Sequence, residues 1–235
     1  MTQIRKAATL VVIRDGANQD IEVLVVRRAK TMRFLPGFVA FPGGAADPSD
    51  AEVAKRAVGM PACAEDEDDP ALAVTALRET AEEIGWLIAV QDGAGTRMDA
   101  PLAPDAQADL CRGGEALLAW LSAHGLAFDL GRLRRIGRFV TPPTQPVRFD
   151  TRFFLCLGHH LGEPRAHGAE LDAALWAPVR DILARIESCE WPAVRPTRAV
   201  LKALAACPNA DVAMSTLRVD PPPPPASNEN GADSR

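Results

Sequence analysis

No two of the five cysteines, Cys63, Cys111, Cys156, Cys189 and Cys207, stand at C-x-x-C spacing, and their number is odd. A disulfide framework and a thiolate zinc site are therefore not indicated, and incidental thiols in a reducing cytoplasm are the expectation. None of the five has an activating histidine beside it, which argues against a cysteine nucleophile. Apolar runs are short: none reaches the roughly 20 residues that a bilayer-spanning helix needs. The first such run, residues 7–13, meets Arg14-Asp15-Gly16 too early to serve as a secretory signal. There is no internal repeat and no excess of positive charge. A net charge of −5 argues against the phosphate backbone of nucleic acid as a partner. A small anionic substrate stays open, because a bound metal reverses the sign locally. The remainder is ordinary for a globular protein, 47% hydrophobic and 24% charged over 235 residues, enough for one sizeable domain or two small ones.

Against that background one stretch stands out, Leu77-Arg78-Glu79-Thr80-Ala81-Glu82-Glu83-Ile84-Gly85. Ala73, Leu77, Thr80 and Ile84 recur at helical spacing and form a mostly apolar stripe. Glu79, Glu82 and Glu83 stand at i, i+3 and i+4, so their carboxylates share another face, and Gly85 supplies a stop. Like charges at this spacing repel by a few tenths of a kcal/mol per pair. Only Arg78 is nearby in sequence to offset them, and a hard divalent cation with oxygen ligands is the simplest relief. A solvated acidic helix face is the plain alternative.

Along the rest of the chain, residues 7–14 and 21–28 are rich in β-branched side chains and predict an antiparallel pair of strands. Arg28 and Arg33 precede a glycine-rich turn, Phe41-Pro42-Gly43-Gly44. Two arginines so placed can clamp phosphates, and glycines admit a ligand close to the backbone. As isolated features they would be strand-end charges and turns. Residues 47–70 are acidic and poor in apolar positions, which predicts a solvated surface loop. The helix is expected over 71–85, a strand over 86–90, and turns over 91–103. Residues 104–124 carry an amphipathic helical pattern broken at Gly113-Gly114, either an inserted hairpin or lid, or an added core helix. Strands are expected at 133–140, 148–157 and 170–176, and helices at 178–186 and 196–206. The domain is placed at 1–208. A disordered tail is placed at 209–235, proline-rich from Asp220 onward.

The helix motif resembles the Nudix box, G-x5-E-x7-R-E-U-x-E-E-x-G-U, where U is aliphatic. Arg78 through Gly85 match, with Thr80 at one aliphatic slot and Trp86 at the last. Counting from Gly44, the first acidic slot holds Asp50 rather than Glu, and Arg78 follows 20 residues later than an uninterrupted box would place it. The box is thus split by a loop, about residues 51–70. Residues 28–44 are similar to the signature of coenzyme A pyrophosphatases within that family, with Arg28, Ala29, Arg33, Gly37 and Phe41 to Gly44 in register. The segments from Arg138 to Pro142 and from Arg148 to Phe154 are similar to a strand-loop-strand of long-box relatives.

The resemblance implies an α/β fold, the Nudix α/β/α sandwich with a mixed β-sheet and an inserted helical segment. It implies Mg²⁺- or Mn²⁺-dependent hydrolysis of the diphosphate in a nucleoside-diphosphate derivative. Coenzyme A or acyl-coenzyme A leads; ADP-ribose, dinucleotides and nucleotide sugars are alternatives, as is a non-catalytic nucleotide-binding regulator. The implied metal ligands are Glu79, Glu82 and Glu83, with Glu79 as ligand or base, Arg78 orienting the cluster and Glu170 a distal ligand or base. Arg28 and Arg33, with the backbone of Gly43 and Gly44, are the implied substrate contacts. A homodimer is a further expectation, through the apolar inserted helix.

Overall fold

In the computed structural model, which describes residues 4–17, 20–32 and 35–219, one mixed sheet lies between two helical layers. Its strands are β1 (Ile4–Asp15), β2 (Ile21–Arg28), β3 (Val39–Ala40), β4 (Gly43–Ala45), β8 (Arg134–Val140), β9 (Arg148–Leu157) and β10 (Leu171–Pro178). Their order is β10-β2-β1-β9-β8, with β3 added to β2 and β4 to β1. β1 and β9 run parallel from Ile4 opposite Arg148 to Ile13 opposite Leu157, and the other pairings are antiparallel.

The apolar runs of β1, β2 and β9 follow from burial on both sides, since successive side chains in a strand face opposite ways. Leu10, Val12, Leu24, Val26, Phe154 and Cys156 enter one core. Val11, Ile13, Val23, Val25, Phe153 and Leu155 enter the other. The first core is closed by α1 (Asp50–Ala54), α2 (Asp69–Ile84), α3 (Pro104–Leu110), α4 (Gly114–Ala123) and a small sheet of β5 (Trp86–Asp92), β6 (Arg97–Pro101) and β7 (Leu126–Phe128). The second is closed by α5 (Val179–Glu187), α6 (Arg195–Ala205) and α7 (Ala210–Thr216). This is the expected α/β/α sandwich.

Three expectations change, and one pair of alternatives is decided. The turn-rich segment after residue 90 contains β6, which pairs with β5. The inserted helical segment does break before Gly114, but its Leu110, Leu117 and Leu121 are buried in the first core, so it is a core layer rather than a free lid. The boundary at residue 208 moves outward: α7 follows, and Ala210, Ala213, Leu217 and Val219 are buried in the second core. Ala210, Ala213 and Leu217 are small or apolar at helical spacing, a pattern overshadowed by the prolines that follow. The tail from residue 220 lies outside the described residues, as does Arg33.

The segment 47–70, expected as a solvated loop, is also not free of structure. It carries α1, buries Val53, and forms bridges from Val58 to Asp129 and from Ala62 to Arg134. Several of its acids are paired with arginines rather than left to water alone. Asp66 binds Arg152 at 3.0 Å, Glu65 pairs with Arg135 and Arg218, and fully buried Asp69 lies 3.4–3.5 Å from Arg152 and Arg135. These ion pairs tie the start of α2 to β8 and β9. Among the described residues, no helix is long and apolar enough to cross a membrane.

Candidate functional site

The site is built on α2 where it passes the β1–β4 pair. Pro70 sits in its first turn, and the helix stops at Gly85, whose φ of 71° is left-handed and suits glycine. Leu72, Leu77 and Ile84 are buried at 0–1% exposure, each worth about 1.5–3 kcal/mol in removed apolar surface, so the other face of the helix is fixed in direction. The two departures from the pattern at the helix and its end are accommodated. Thr80 is fully buried and its hydroxyl donates to Ala76 O at 2.7 Å, so its polar group is satisfied within the helix. Trp86 begins β5, packs on the core edge and reaches Glu163 O at 3.4 Å.

Arg78 is the hub. Its side chain is 5% exposed, and its Nε donates to Asp50 Oδ1 at 2.8 Å. Nη2 reaches Asp50 Oδ2 at 3.2 Å and Ala45 O at 3.0 Å, while Nη1 lies 2.9 Å from Glu79 and 3.1 Å from Glu82. Burial alone would lower the guanidinium's pKa; Asp50, Glu79 and Glu82 outweigh it. Asp50, 1% exposed, also accepts from Thr75 Oγ1 at 2.7 Å and from Asp47 N at 3.0 Å. The shortened acid in the first slot thus reaches Arg78 because α1 carries it inward. Its neighbour on the far side is Gly114, the first residue of α4, where a Cβ would stand 3.2 Å from Asp50 Oδ1.

The three glutamates are brought together beside the Gly43-Gly44 turn. Glu83 Oε2 accepts from Gly43 N at 3.1 Å. Burial pushes Glu83 up to about 8, with the charge of Glu79 adding to it and the Gly43 amide opposing. Burial likewise lifts Glu82 to about 7 against the pull of Arg78, and raises Glu79. The side chains of Glu79 and Glu82 keep 19% and 15% exposure, so the cluster opens to the surface. Cavities of about 20 and 60 Å³ elsewhere contain none of these residues.

Glu170 is exposed at the entry to β10, its backbone carbonyl bonded to Ala29 N at 2.8 Å. Its charge contributes to the upward push on Glu79 and Glu83, and Arg28 at the end of β2 counters that push on Glu83. The structure therefore gathers Arg28, Gly43, Gly44, Asp50, Arg78, Glu79, Glu82, Glu83 and Glu170 from five stretches of chain.

Among the described residues, no three acidic, histidine or cysteine side chains form a ready-made metal centre. Repulsion between the glutamates is met instead by Arg78, by the Gly43 N–H and by the tendency to hold protons near neutral pH. The donor set still suits a hard divalent cation. It is all oxygen, partly open, and carries carboxyl groups whose raised pKa values a cation would draw down.

Three residues of the site carry no obvious mark in the sequence: Thr75, Asp47 and Gln107. Gln107, fully buried, donates from Nε2 to Glu82 O at 2.9 Å. A polar residue three positions before core Leu110, on the buried stripe of α3, is the one available signal.

The two glycines separate fold from site. At Gly43 φ is 153°, and a Cβ would stand 2.7 Å from Thr9 Cα, within backbone that cannot yield. At Gly44 a Cβ would meet the Glu79 carboxyl at 2.5 Å, the end of a side chain that can swing away. Gly43→Ala is expected to cost about 2–5 kcal/mol of stability through strain and overpacking. Gly44→Ala is expected to cost under about 1 kcal/mol yet lower turnover about 10- to 100-fold by displacing Glu79. Thermal midpoints and turnover measured on both variants check the pair.

No family model matches the chain. A crystal structure of a NUDIX hydrolase from Alicyclobacillus acidocaldarius is 84% identical and superimposes with a TM-score of 0.92, covering 94% of this chain and 100% of its own. A curated Caenorhabditis elegans protein named as a nudix hydrolase is 28% identical over 156 residues, 65% of this chain. The match spans 44% of that relative's length. With 84% identity across the whole of a solved NUDIX hydrolase, the chain belongs to the Nudix hydrolase family.

Proposed function

We propose that the chain hydrolyses the diphosphate linkage of a nucleoside-diphosphate derivative with a divalent metal, Mg²⁺ or Mn²⁺. The observation that carries this reading is the acidic cluster of Glu79, Glu82 and Glu83, gathered round Arg78 beside the Gly43-Gly44 backbone and open to the surface. A diphosphate resists attack because its charge repels nucleophiles. Glu79, Glu82 and Glu83 would hold the cation, which supplies charge neutralisation and an acidified water when bound. The protein's own groups then divide the rest. Arg78 keeps Glu79 and Glu82 aligned, and Asp50 keeps Arg78 aligned. Arg28 and the backbone at Gly43 and Gly44 form the side that would meet phosphate oxygens, with Glu170 a candidate distal ligand or base.

Coenzyme A or acyl-coenzyme A is the leading substrate, on the pattern from Arg28 to Gly44. The regulator reading rests on Asp50 and Thr80 as departures from the box. Both are accommodated here, Asp50 as the partner of Arg78 and Thr80 as a buried, bonded core residue, so neither favours loss of chemistry. The test is a product-release assay with Mg²⁺ or Mn²⁺ over coenzyme A, acyl-coenzyme A, ADP-ribose, a dinucleoside polyphosphate and a nucleotide sugar. Highest kcat/KM on the coenzyme A pair supports the assignment. Preference for another compound reassigns the substrate, and no release from any of them overturns the enzyme reading.

A further inference from the structure

We propose that Gln107 is a positioning residue for the carboxylate helix: from the inserted α3 it locks the last turn of α2, and with it Glu82 and Glu83, to the segment that leads into Glu170. The catalytic consequence rests on the function proposed above; the lock itself does not.

A helix leaves its last four carbonyls without partners inside the helix. In α2 they are taken up from outside. Ala81 O accepts from Gly85 N at 3.1 Å, in the ordinary way of a left-handed cap. The next three go to distant chain: Glu82 O to Gln107 Nε2 at 2.9 Å, Glu83 O to His167 N at 3.0 Å, and Ile84 O to Arg165 N at 3.1 Å. Gly85 O then takes Leu102 N at 2.8 Å, just ahead of α3. So the two residues whose carboxylates matter have their own carbonyls pinned, one by the inserted helix and one by the 158–170 segment.

Gln107 joins the two sources. Its amide nitrogen donates to Glu82 O, and its amide oxygen accepts from Arg165 Nη2 at 2.6 Å, which also reaches Leu102 O at 3.0 Å. The side chain is fully buried, so turning the amide over would set oxygen against the Glu82 carbonyl with no water to compensate. The packing is close: a Cβ on Gly85 would stand 2.9 Å from Gln107 Oε1 and 3.0 Å from Arg165 Nη2. The stop glycine of the box therefore has a second task here, admitting this bridge. The same insertion also touches the other end of the cluster, where Gly114 abuts Asp50. It thus braces the charged face at two points.

Gln107→Met removes both hydrogen bonds at nearly constant volume. Gln107→Glu keeps an acceptor for Arg165 but loses the donor to Glu82 O. Both are compared with the parent and with Ile186→Val, a core change in the opposite layer. Two readouts are taken: Mn²⁺ affinity by calorimetry, and hydrogen exchange at the amides of Arg165 and His167. The expected result is a 10- to 100-fold weaker Mn²⁺ affinity in both Gln107 variants, the size seen when outer partners of metal ligands are lost. Exchange at Arg165 and His167 is expected to quicken, while Ile186→Val leaves both readouts at parent values. Should Gln107→Met not fold, Gln107→Glu carries the comparison. Parent-like affinity and exchange in the Gln107 variants would overturn the proposal. A parent that binds no Mn²⁺ defeats the metal reading of the site instead; exchange alone then decides, and unchanged exchange overturns the lock.

Discussion

Glu83→Gln is expected to lower metal-dependent turnover by about 100-fold or more while making the metal-free protein more heat-stable at alkaline pH. The two effects share one cause. Glu83 is held in a half-buried place beside Glu79, where burial outweighs the Gly43 amide and the charge of Arg28, and its pKa rises from the ordinary carboxylate value to about 8. A carboxyl group whose pKa is raised by folding favours the folded state only while it keeps its proton. Its contribution is intact below about 4.5 and is lost as pH climbs through about 8. Glutamine keeps the acceptor for Gly43 and never ionises. It should therefore add about 2 kcal/mol at pH 9, or roughly 4–8 °C in a chain of this length, and almost nothing at pH 5. This gain is smaller than an isolated, fully enclosed carboxyl group would give, because Glu83 is partly open and titrates together with Glu79. On the proposed function, the loss of turnover follows from removing one anionic oxygen that would hold the cation, about 3 kcal/mol of stabilisation at tenfold per 1.36 kcal/mol. Thermal scans of metal-free parent and variant at pH 5 and 9, with turnover under saturating Mn²⁺, measure both. Equal midpoints at pH 9 would contradict the strained-carboxylate picture, and unchanged turnover would remove Glu83 from the ligand set.

A site whose carboxylates are destabilised when empty was legible in the sequence only as spacing. Glu79, Glu82 and Glu83 at i, i+3 and i+4 announced a shared face, because helical geometry is local and the stripe of Leu77 and Ile84 fixed which way it turned. Strands β1, β2 and β9 were legible for a similar reason: burial on both faces writes a continuous apolar run. What could not be read were the pairings between distant segments. Nothing local states that β1 runs parallel to β9, or that Arg152 and Arg135 receive the acids of the 61–69 segment. A charge run looks solvated until its partners are known. The same limit hid Gln107, whose partners Glu82 and Arg165 lie 25 and 58 residues away. It also left Asp50 without a role. One residue in the slot gave its charge, but only the fold shows that α1 turns it inward against Arg78.

That inward turn makes Asp50 a point where stability and turnover are lost together. Asp50→Ala is expected to destabilise the protein by about 2–4 kcal/mol, roughly 4–16 °C, and to reduce turnover about 10- to 100-fold. Breaking one side of a buried ion pair typically costs about 3–5 kcal/mol, because the remaining charge stays desolvated. Here the cost is smaller, since Arg78 retains Glu79, Glu82 and Ala45 O, and Thr75 retains Ala71 O at 3.1 Å. Those retained partners are also why activity falls. A guanidinium released from Asp50 leans harder on Glu79 and Glu82, the groups that on the proposed function would hold a cation, and keeps them in the arrangement that is not a metal centre. Asp50→Asn separates the two consequences: its one amide oxygen keeps an acceptor for Arg78 Nε, while the charge and the acceptor that Thr75 and Asp47 use are lost, so stability should recover partly and turnover less. Restoring the glutamate that the box pattern expects should not help. Gly114 stands close against the carboxyl of Asp50, and an added methylene would push it toward α4. Midpoints and Mn²⁺-dependent kcat for Asp50→Ala, Asp50→Asn and Asp50→Glu test this order. A parent-like Asp50→Ala in both measures would mean that Arg78 is positioned by Glu79 and Glu82 alone, and that the acidic slot of the split box has no work in this protein.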